Sequence, residues 1–238
     1  HGDEETLKAA RRSLSYWLEH DFRNPNWWWN EIGVPMSMAD ILLMLEPELP
    51  GKRVRKGIEI LKRAEPGMTG QNLVWVCSIT AKRGVLEGDA ELVDRAFGHI
   101  TQEIRISEKE GIQSDYSFHQ HGPCLYNHGY GAGFAADCAR IAALTRGTRF
   151  AFPEDKIQIL VSYVLDGSRW MTRGSWADPG ASGRNITRKG RWRCIYLEGV
   201  ARNLLKLPTP RPEQLEQLLS RLQDGQPPLT GNRHFWCS

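Results

Sequence analysis

The sequence lacks the features that define several functional classes. Its formal net charge is only +3 over 238 residues, too little for a typical nucleic-acid-binding chain, which carries a concentrated basic stripe. No apolar run approaches the roughly 20 residues that a membrane-spanning helix needs. No basic segment followed by an apolar one occurs either, so we expect any secretory signal to lie outside this chain. From these absences we expect that the protein neither binds nucleic acid nor spans a membrane.

The cysteines form no recognisable framework. There are five, an odd number, and no two of them stand in CxxC spacing, which favours neither a zinc site nor a set of disulfides. His119 and His121 lie two residues apart, but no carboxylate or cysteine stands at a spacing that would complete a metal site around them. We therefore expect neither a metal nor another cofactor.

The sequence does contain a series of helices. With 40% hydrophobic and 25% charged residues, the composition is typical of a soluble globular chain with one substantial core. Apolar residues recur three or four apart, as in amphipathic helices, and the only candidate strand is His234–Cys237. The pattern predicts an all-α fold of antiparallel helical hairpins, arranged as a bundle or ring. The predicted helices are Glu4–His20, Met38–Leu45, Lys52–Ala64, Asn72–Leu86, Glu91–Ile106, Gly131–Leu144, Lys156–Trp170, Gly190–Leu205 and Pro212–Leu222.

Unusual residues collect in the segments between these helices. Asp21–Pro35, predicted as a loop, contains Asn26 followed by Trp27, Trp28 and Trp29. Three successive tryptophans cannot all point into one core, so at least one should be exposed, where its flat ring suits the face of a sugar. The alternative is that the rings close the end of a helical hairpin.

The densest cluster of ionisable groups lies in Asp115–Tyr130, which contains three histidines and three tyrosines. Such a segment is typical of a reaction site, although a single histidine is more often structural. Asn72 stands just inside a predicted helix, where an amide could also cap the helix. Thr172–Lys189 is predicted as a long irregular loop, and such loops are usually functional. Within it, Arg184 and Arg188 are four apart and suit a carboxylate or sulfate, or are simply solvated charges.

Four motifs together resemble the polysaccharide lyase family of hyaluronate, chondroitin AC and xanthan lyases. They are NWWWNEIGVP, TGQN, DYSFHQHGP with a YG pair nine residues past its second histidine, and SGRNITR. The resemblance implies an incomplete (α/α) toroid of helical hairpins. Residues 1–230 would form part of that toroid, and residues 231–238 would begin the β-sandwich region that family members carry. That region supplies a catalytic glutamate, for which no position exists in this chain.

The resemblance also implies a reaction, β-elimination at a uronic acid of an acidic polysaccharide. The enzyme removes the C5 proton and expels the sugar at O4, leaving a 4,5-unsaturated uronate. By motif match, Asn72 contacts the substrate carboxylate, while His121 and Tyr130 are the catalytic histidine and tyrosine. The arginines near the leaving sugar are Arg184 and Arg188. Trp27 and Trp28 correspond to the aromatic patch that stacks on the polymer, and Asn26 is a further substrate-binding residue. The family further implies a secreted or periplasmic protein in which β-sandwich domains follow the helical one.

Two other functions are open at the level of the sequence. A toroid glycoside hydrolase needs two carboxylates across a cleft, for which Glu31, Asp115 and Asp178 are candidates. A non-catalytic polysaccharide-binding domain would keep only the aromatic residues.

Overall fold

The computed structural model describes residues 3–190, 192–224 and 231, which are predominantly helical. Over these residues the all-α class predicted from the sequence is confirmed. The α-helices are α1 Glu4–His20, α2 Val34–Leu45, α3 Gly51–Leu61, α4 Gly70–Glu87, α5 Ala90–Glu103, α6 Tyr130–Thr145, α7 Glu154–Ser162, α8 Tyr196–Leu204 and α9 Pro212–Asp224. The predicted strand His234–Cys237 lies outside the described residues, as does all but Gly231 of the predicted start of a β-sandwich region.

Helix α1 shows why local signals predicted its bounds. Asp3 caps the helix, because its Oδ1 accepts a hydrogen bond of 2.7 Å from the Thr6 backbone N–H. Acidic Glu4 and Glu5 lie in the first turn and basic His20 in the last, the arrangement that interacts favourably with the helix dipole. Leu14 and Leu18 are buried on one side of the helix.

The described chain divides into two compact units. The first unit comprises residues 3–68 and 75–98. In it, α2 packs against α3, and Gly57 lies so close to Leu42 that an added Cβ would come within 2.6 Å of that side chain. Its core is a continuous apolar cluster that includes Leu14, Leu18, Ile32, Met38, Leu42, Leu61, Val76 and Ile79.

The second unit comprises residues 69–74 and the described residues from 99 onward. Helix α6 packs chiefly against α8, and α8 packs against α9. Small buried residues on α6, among them Ala135, Ala139 and Ala142, leave room for that close packing. Two short antiparallel pairs complete this unit, β1 Gly111–Ile112 with β2 Phe118–His119 and β3 Thr172–Arg173 with β4 Trp176–Ala177.

The prediction of a loop over Asp21–Pro35 is wrong for its second half. Trp27 and Trp28 are helical, and Trp29–Gly33 forms a π-helix that runs into α2. Asn26 initiates this segment, since its Oδ1 accepts a hydrogen bond of 3.0 Å from the Trp28 backbone N–H. Gly33 leaves space for the rings, because a Cβ there would lie 2.5 Å from the Trp29 ring and 2.7 Å from that of Trp28.

Two further predicted helices are shorter than expected. The segment predicted as Lys156–Trp170 leaves α-helical geometry after Ser162, passing through a π-helix at Tyr163–Gly167 and a 3₁₀-helix at Ser168–Met171. The helix predicted from Gly190 begins only at Tyr196, because the backbone of Trp192 and Cys194 bonds to Ala177 and Ser175 instead. The intervening region is irregular as predicted, apart from β3, β4 and short 3₁₀-helices at Pro179–Ala181 and Gly183–Thr187.

No helix among the residues described is both long enough and apolar enough to cross a bilayer.

Candidate active site

His121 lies at the tip of a turn that the backbone closes on itself. The Gln120 N–H donates to the Cys124 carbonyl over 3.2 Å, and the Tyr126 N–H donates to the Phe118 carbonyl over 2.8 Å. His121 has a left-handed φ of 62°, followed by Gly122 at 77°. A residue with a side chain pays about 1 kcal/mol or more for this conformation. The turn holds the imidazole outward, where it is exposed.

Tyr130 is the first residue of α6 and is half-buried. Its neighbour is the buried Tyr126, whose ring packs edge-on to it at a centroid distance of 5.1 Å. Tyr126 is fixed between two glycines, since a Cβ would come within 2.0 Å of its ring at Gly129 and within 2.5 Å at Gly183. Tyr126 thus supports Tyr130 from the protein interior.

Arg184 joins the two predicted catalytic groups. Its Nη2 lies 2.5 Å from His121 Nε2 and 3.4 Å from the Tyr130 hydroxyl oxygen. The His121 and Tyr130 rings stand perpendicular, with centroids 4.8 Å apart. Because a guanidinium can only donate, Nε2 of His121 must accept, which assigns a neutral imidazole with its proton on Nδ1.

The protonation of these groups follows from burial and charge. Partial burial lowers the pKa of His121 and the Arg184 charge lowers it further, while Glu110 acts in the opposite direction. Burial raises the pKa of Tyr130; Arg184 and Arg188 act to lower it, but burial outweighs them. At neutral pH the site therefore holds a neutral histidine beside a protonated tyrosine.

Asn72 is the third residue of α4 and is half-buried. Its position inside the helix is not the cap position, so the capping alternative is wrong. The first amides of α4 have other partners, because Gly70 N–H donates to Glu103 over 2.5 Å and Gln71 N–H donates to Gln120 Oε1 over 3.1 Å. Oδ1 of Asn72 is buried with no hydrogen-bond partner among the described residues. Such an atom costs about 1–3 kcal/mol.

The predicted aromatic patch lies in the first unit. Trp27 and Trp29 are each 48% exposed, so the expectation that at least one ring faces solvent is confirmed. Trp28 is half-buried and packs edge-on against Trp29 and Trp75, at 5.1 and 5.6 Å. Asn26 is exposed but uses its amide oxygen as the helix cap described above. Arg188, in the second unit, is exposed and acts on Tyr130 through its charge.

The other two histidines of the segment are buried. His128 is buried, with Nε2 2.7 Å from the Met171 carbonyl and Nδ1 3.1 Å from the Tyr196 hydroxyl. Burial lowers its pKa to about 4. His119 is also buried, and burial lowers its pKa.

Two of the three carboxylates considered for a hydrolase accept hydrogen bonds within local turns. Asp115 Oδ1 accepts from the Ser117 N–H over 2.8 Å, and Asp178 Oδ1 accepts from the Gly180 N–H over 2.7 Å. Glu31 belongs to the first unit. Within the described ranges, no group of three or more His, Cys, Asp or Glu side chains is placed to hold a metal ion.

One carboxylate near the site was missed at the sequence level. Glu110 accepts hydrogen bonds from Thr69 Oγ1 and from the Gly122 N–H, over 2.6 and 2.9 Å. Nothing in the sequence distinguishes it from Glu108, two residues earlier.

Comparison with known proteins gives one family. Residues 1–223 match the family model described as polysaccharide lyase family 8, N-terminal alpha-helical domain. Chondroitinase-AC of Pedobacter heparinus is 31% identical over 193 residues, which cover 79% of this chain and 28% of that protein. Xanthan lyase of Bacillus sp. (strain GL1) is 23% identical over 207 residues, covering 83% of this chain and 22% of that one. This chain thus spans about a quarter of the length of these relatives.

Solved structures agree. A chondroitinase AC lyase structure, from a study of enzyme–oligosaccharide complexes and mutagenesis, superposes with a TM-score of 0.86 at 27% identity, covering 93% of this chain and 34% of that one. Streptomyces coelicolor A3 chondroitin AC lyase in complex with chondroitin sulphate gives a TM-score of 0.73 at 21% identity, covering 87% of this chain and 31% of that one, and shows the same fold.

Proposed function

Because the chain belongs to polysaccharide lyase family 8, as its N-terminal α-helical domain, we propose that it supplies the helical part of a lyase active site. The substrate is an acidic polysaccharide containing uronic acid. The reaction is β-elimination: the C5 proton leaves, the bond from C4 to O4 breaks, and the product carries a double bond between C4 and C5. The O4 atom departs on the neighbouring sugar and takes up a proton.

The observation that carries this proposal is the contact of Arg184 with both His121 and Tyr130. β-Elimination needs a proton acceptor near C5 and a proton donor near O4, which are adjacent positions of one sugar ring. Two titratable rings 4.8 Å apart fit that requirement, since general acids and bases must lie within hydrogen-bond reach of the reacting atoms.

Asn72 has the role of binding the uronate carboxylate. Removal of the C5 proton places a second negative charge on that carboxyl group, and fixed hydrogen-bond donors stabilise such charge. The donor for this role is the Nδ2 amide group of Asn72, since Oδ1 can only accept.

Tyr130 gives a proton to O4. Its raised pKa keeps the hydroxyl protonated in the free site, as a general acid requires. Neutral His121 accepts the C5 proton where the C5 configuration of the uronate places that proton on its side. Where the proton instead faces Tyr130, the phenol must first lose its own proton, after which it takes the C5 proton and passes it to O4. Arg184 and Arg188 stabilise negative charge on the phenol oxygen and bind the leaving sugar.

We also propose that Asn26, Trp27 and Trp28 of the first unit bind the polymer, since the exposed Trp27 ring offers a stacking surface. We further propose that C-terminal β-sandwich domains of the parent protein complete the site. A polymer of this kind does not cross the cytoplasmic membrane, so we propose that the parent protein acts in the periplasm or outside the cell.

The test uses the intact parent protein with hyaluronan, chondroitin, heparosan, alginate and xanthan. On at least one of them we expect the ultraviolet absorbance of a double bond conjugated to a carboxylate. Tyr130→Phe should lower kcat by about 10²- to 10⁴-fold, whereas Tyr16→Phe, at an exposed position of α1, should leave it unchanged. Reducing ends without absorbance would indicate a hydrolase, and silence on every polymer would indicate a binding domain; either result overturns the proposal.

A further inference from the structure

We propose that Glu110 is a positioning residue that holds the His121 turn in register with the start of α4, which carries Asn72. This inference rests on the proposed roles of His121 and Asn72. The Glu110 carboxylate bonds to residues next to His121 and at the start of α4, not to the side chains of His121 and Asn72. It therefore acts through those neighbours.

The first part of the argument is the set of donors on Glu110. Its Oε1 accepts from the Gly122 N–H over 2.9 Å, directly after His121. Its Oε2 accepts from Thr69 Oγ1 over 2.6 Å, directly before α4, and also from Gln120 Nε2. One carboxylate therefore bonds to both sides of the His121 residue and to the entry of the helix that carries Asn72.

Gln120 provides a second link between the same two segments. This side chain is only 1% exposed. While its Nε2 donates to Glu110, its Oε1 accepts from the Gln71 N–H over 3.1 Å, next to Asn72. Gly70 permits this approach, since a Cβ there would lie 2.2 Å from Gln120 Oε1. The residues adjoining Asn72 and those adjoining His121 are thus bonded to one carboxylate–amide pair.

The turn needs such support because of its backbone. His121 is left-handed at a φ of 62°, which is unfavourable for a residue with a Cβ. Gln120 and Gly122, on either side of His121, both donate hydrogen bonds to the charged Glu110 carboxylate. Such charge-assisted hydrogen bonds are stronger than neutral ones, so they hold the turn in this conformation.

Glu110 also sets the electrostatic environment of His121. The groups that face the imidazole are the Arg184 guanidinium, the Tyr130 and Tyr126 rings and the Glu110 carboxylate. Burial acts to raise the pKa of Glu110, but the hydrogen bonds from Thr69 and Gly122 and the proximity of His121 outweigh it. Glu110 is therefore charged at neutral pH and partly offsets the effect of Arg184 on His121.

The experiment compares Glu110→Gln with Glu108→Gln in the intact parent protein. Both variants lose one negative charge from the same segment, but Glu108 is exposed and serves as the matched control. We expect Glu110→Gln to lower kcat about 10- to 100-fold through misplacement of His121, and to move both the acid limb of the pH–rate profile and the His121 titration to lower pH. Glu108→Gln should do neither.

The His121 titration, followed by NMR of the imidazole, needs no catalytic activity. If the lyase proposal failed, this readout would still test the contact between Glu110 and His121. Equal titration curves in the two variants, or a loss of kcat in Glu110→Gln with an unmoved acid limb, would overturn the inference.

A second variant covers the case in which Glu110→Gln does not fold. Thr69→Val removes one donor from Glu110 and keeps the charge. It should lower kcat severalfold with the acid limb in place. Thr69→Val with unchanged kcat would contradict the positioning role.

Discussion

At the scale of single residues, the contact between Arg184 and His121 decides how the site is protonated. The guanidinium lies 2.5 Å from Nε2, so a proton on that nitrogen would place two donors against each other. A protonated Nε2 is therefore excluded while this contact persists, so His121 can accept a proton there only after Arg184 has moved away from that nitrogen.

This assignment predicts the pH dependence of the parent enzyme. The pKa of His121 is lowered, so its neutral form persists below the ordinary histidine value of about 6.5. We expect kcat/KM to stay constant down to that pH and to fall only on further acidification, when His121 is protonated. Measuring kcat/KM across the acid and neutral range checks this. An activity that instead rises steadily toward the ordinary tyrosine pKa would show that the phenolate of Tyr130 is the reacting form.

His121, Tyr130 and Arg184 were identifiable as candidates because they stand in motifs that resemble a known family, and the structure brings the three together. Glu110 was not, because its role depends on three donors that approach it from Thr69, Gln120 and Gly122. An acidic residue in a polar segment gives no sign of such contacts.

At the scale of elements, local signals succeeded where the neighbours in sequence decide the structure. Helix α1 has its predicted bounds since its cap and its apolar spacing are local. The loop prediction for the tryptophan segment was wrong. Tryptophan and asparagine are modest helix formers, but the cap at Asn26 and the space at Gly33 override that preference. The predicted start of α8 was wrong because the backbone of residues 192–194 bonds to a segment that is distant in sequence.

The short 3₁₀-helix at Gly183–Thr187 delivers Arg184, and its first residue is conformationally demanding. Gly183 has φ 50°, and a Cβ there would come within 2.5 Å of the Tyr126 ring. We expect Gly183→Ala to destabilise the protein by about 1–3 kcal/mol more than a strained backbone alone would, as overpacking does. The matched control is Gly190→Ala, where φ is 76° but a Cβ meets nothing within 4 Å.

Urea unfolding of the two alanine variants checks this prediction. Equal free energies of unfolding in Gly183→Ala and Gly190→Ala would show that Tyr126 yields to the added methyl group, and that it does not fix the segment bearing Arg184.

At the scale of the whole molecule, buried His128 links folding to pH. Its Nε2 hydrogen donates to the Met171 carbonyl, and burial lowers its pKa to about 4. The unfolded chain binds the same proton near 6.5. The free energy of unfolding should therefore be constant above about pH 6.5 and fall as the pH drops toward 4, by about 3 kcal/mol from this residue.

Urea unfolding between neutral pH and pH 4.5 measures this dependence, and His128→Gln identifies its source. The variant should be less stable at neutral pH but should show a smaller loss on acidification. A loss as large as in the unmodified protein would assign the effect to other groups.

The family and the helical class were predictable from the sequence because four motifs stand in a fixed order over most of its length, and the match over residues 1–223 confirms that prediction. Side-chain contacts were not predictable from the sequence. Arg184 and His121, for example, are in contact although they are 63 residues apart in the chain. The motifs indicate which residues are candidates for the site, whereas only the fold determines which of them are in contact.

The measurement that tests the central claim most directly is cleavage by the intact parent protein in water labelled with heavy oxygen. β-Elimination breaks the bond between C4 and O4 without adding water, so mass spectrometry should find no label in the newly formed ends, with an unsaturated uronate at one of them. Incorporation of one labelled oxygen per cleaved bond would mean hydrolysis and would contradict the account of Asn72, His121, Tyr130 and Arg184 given above.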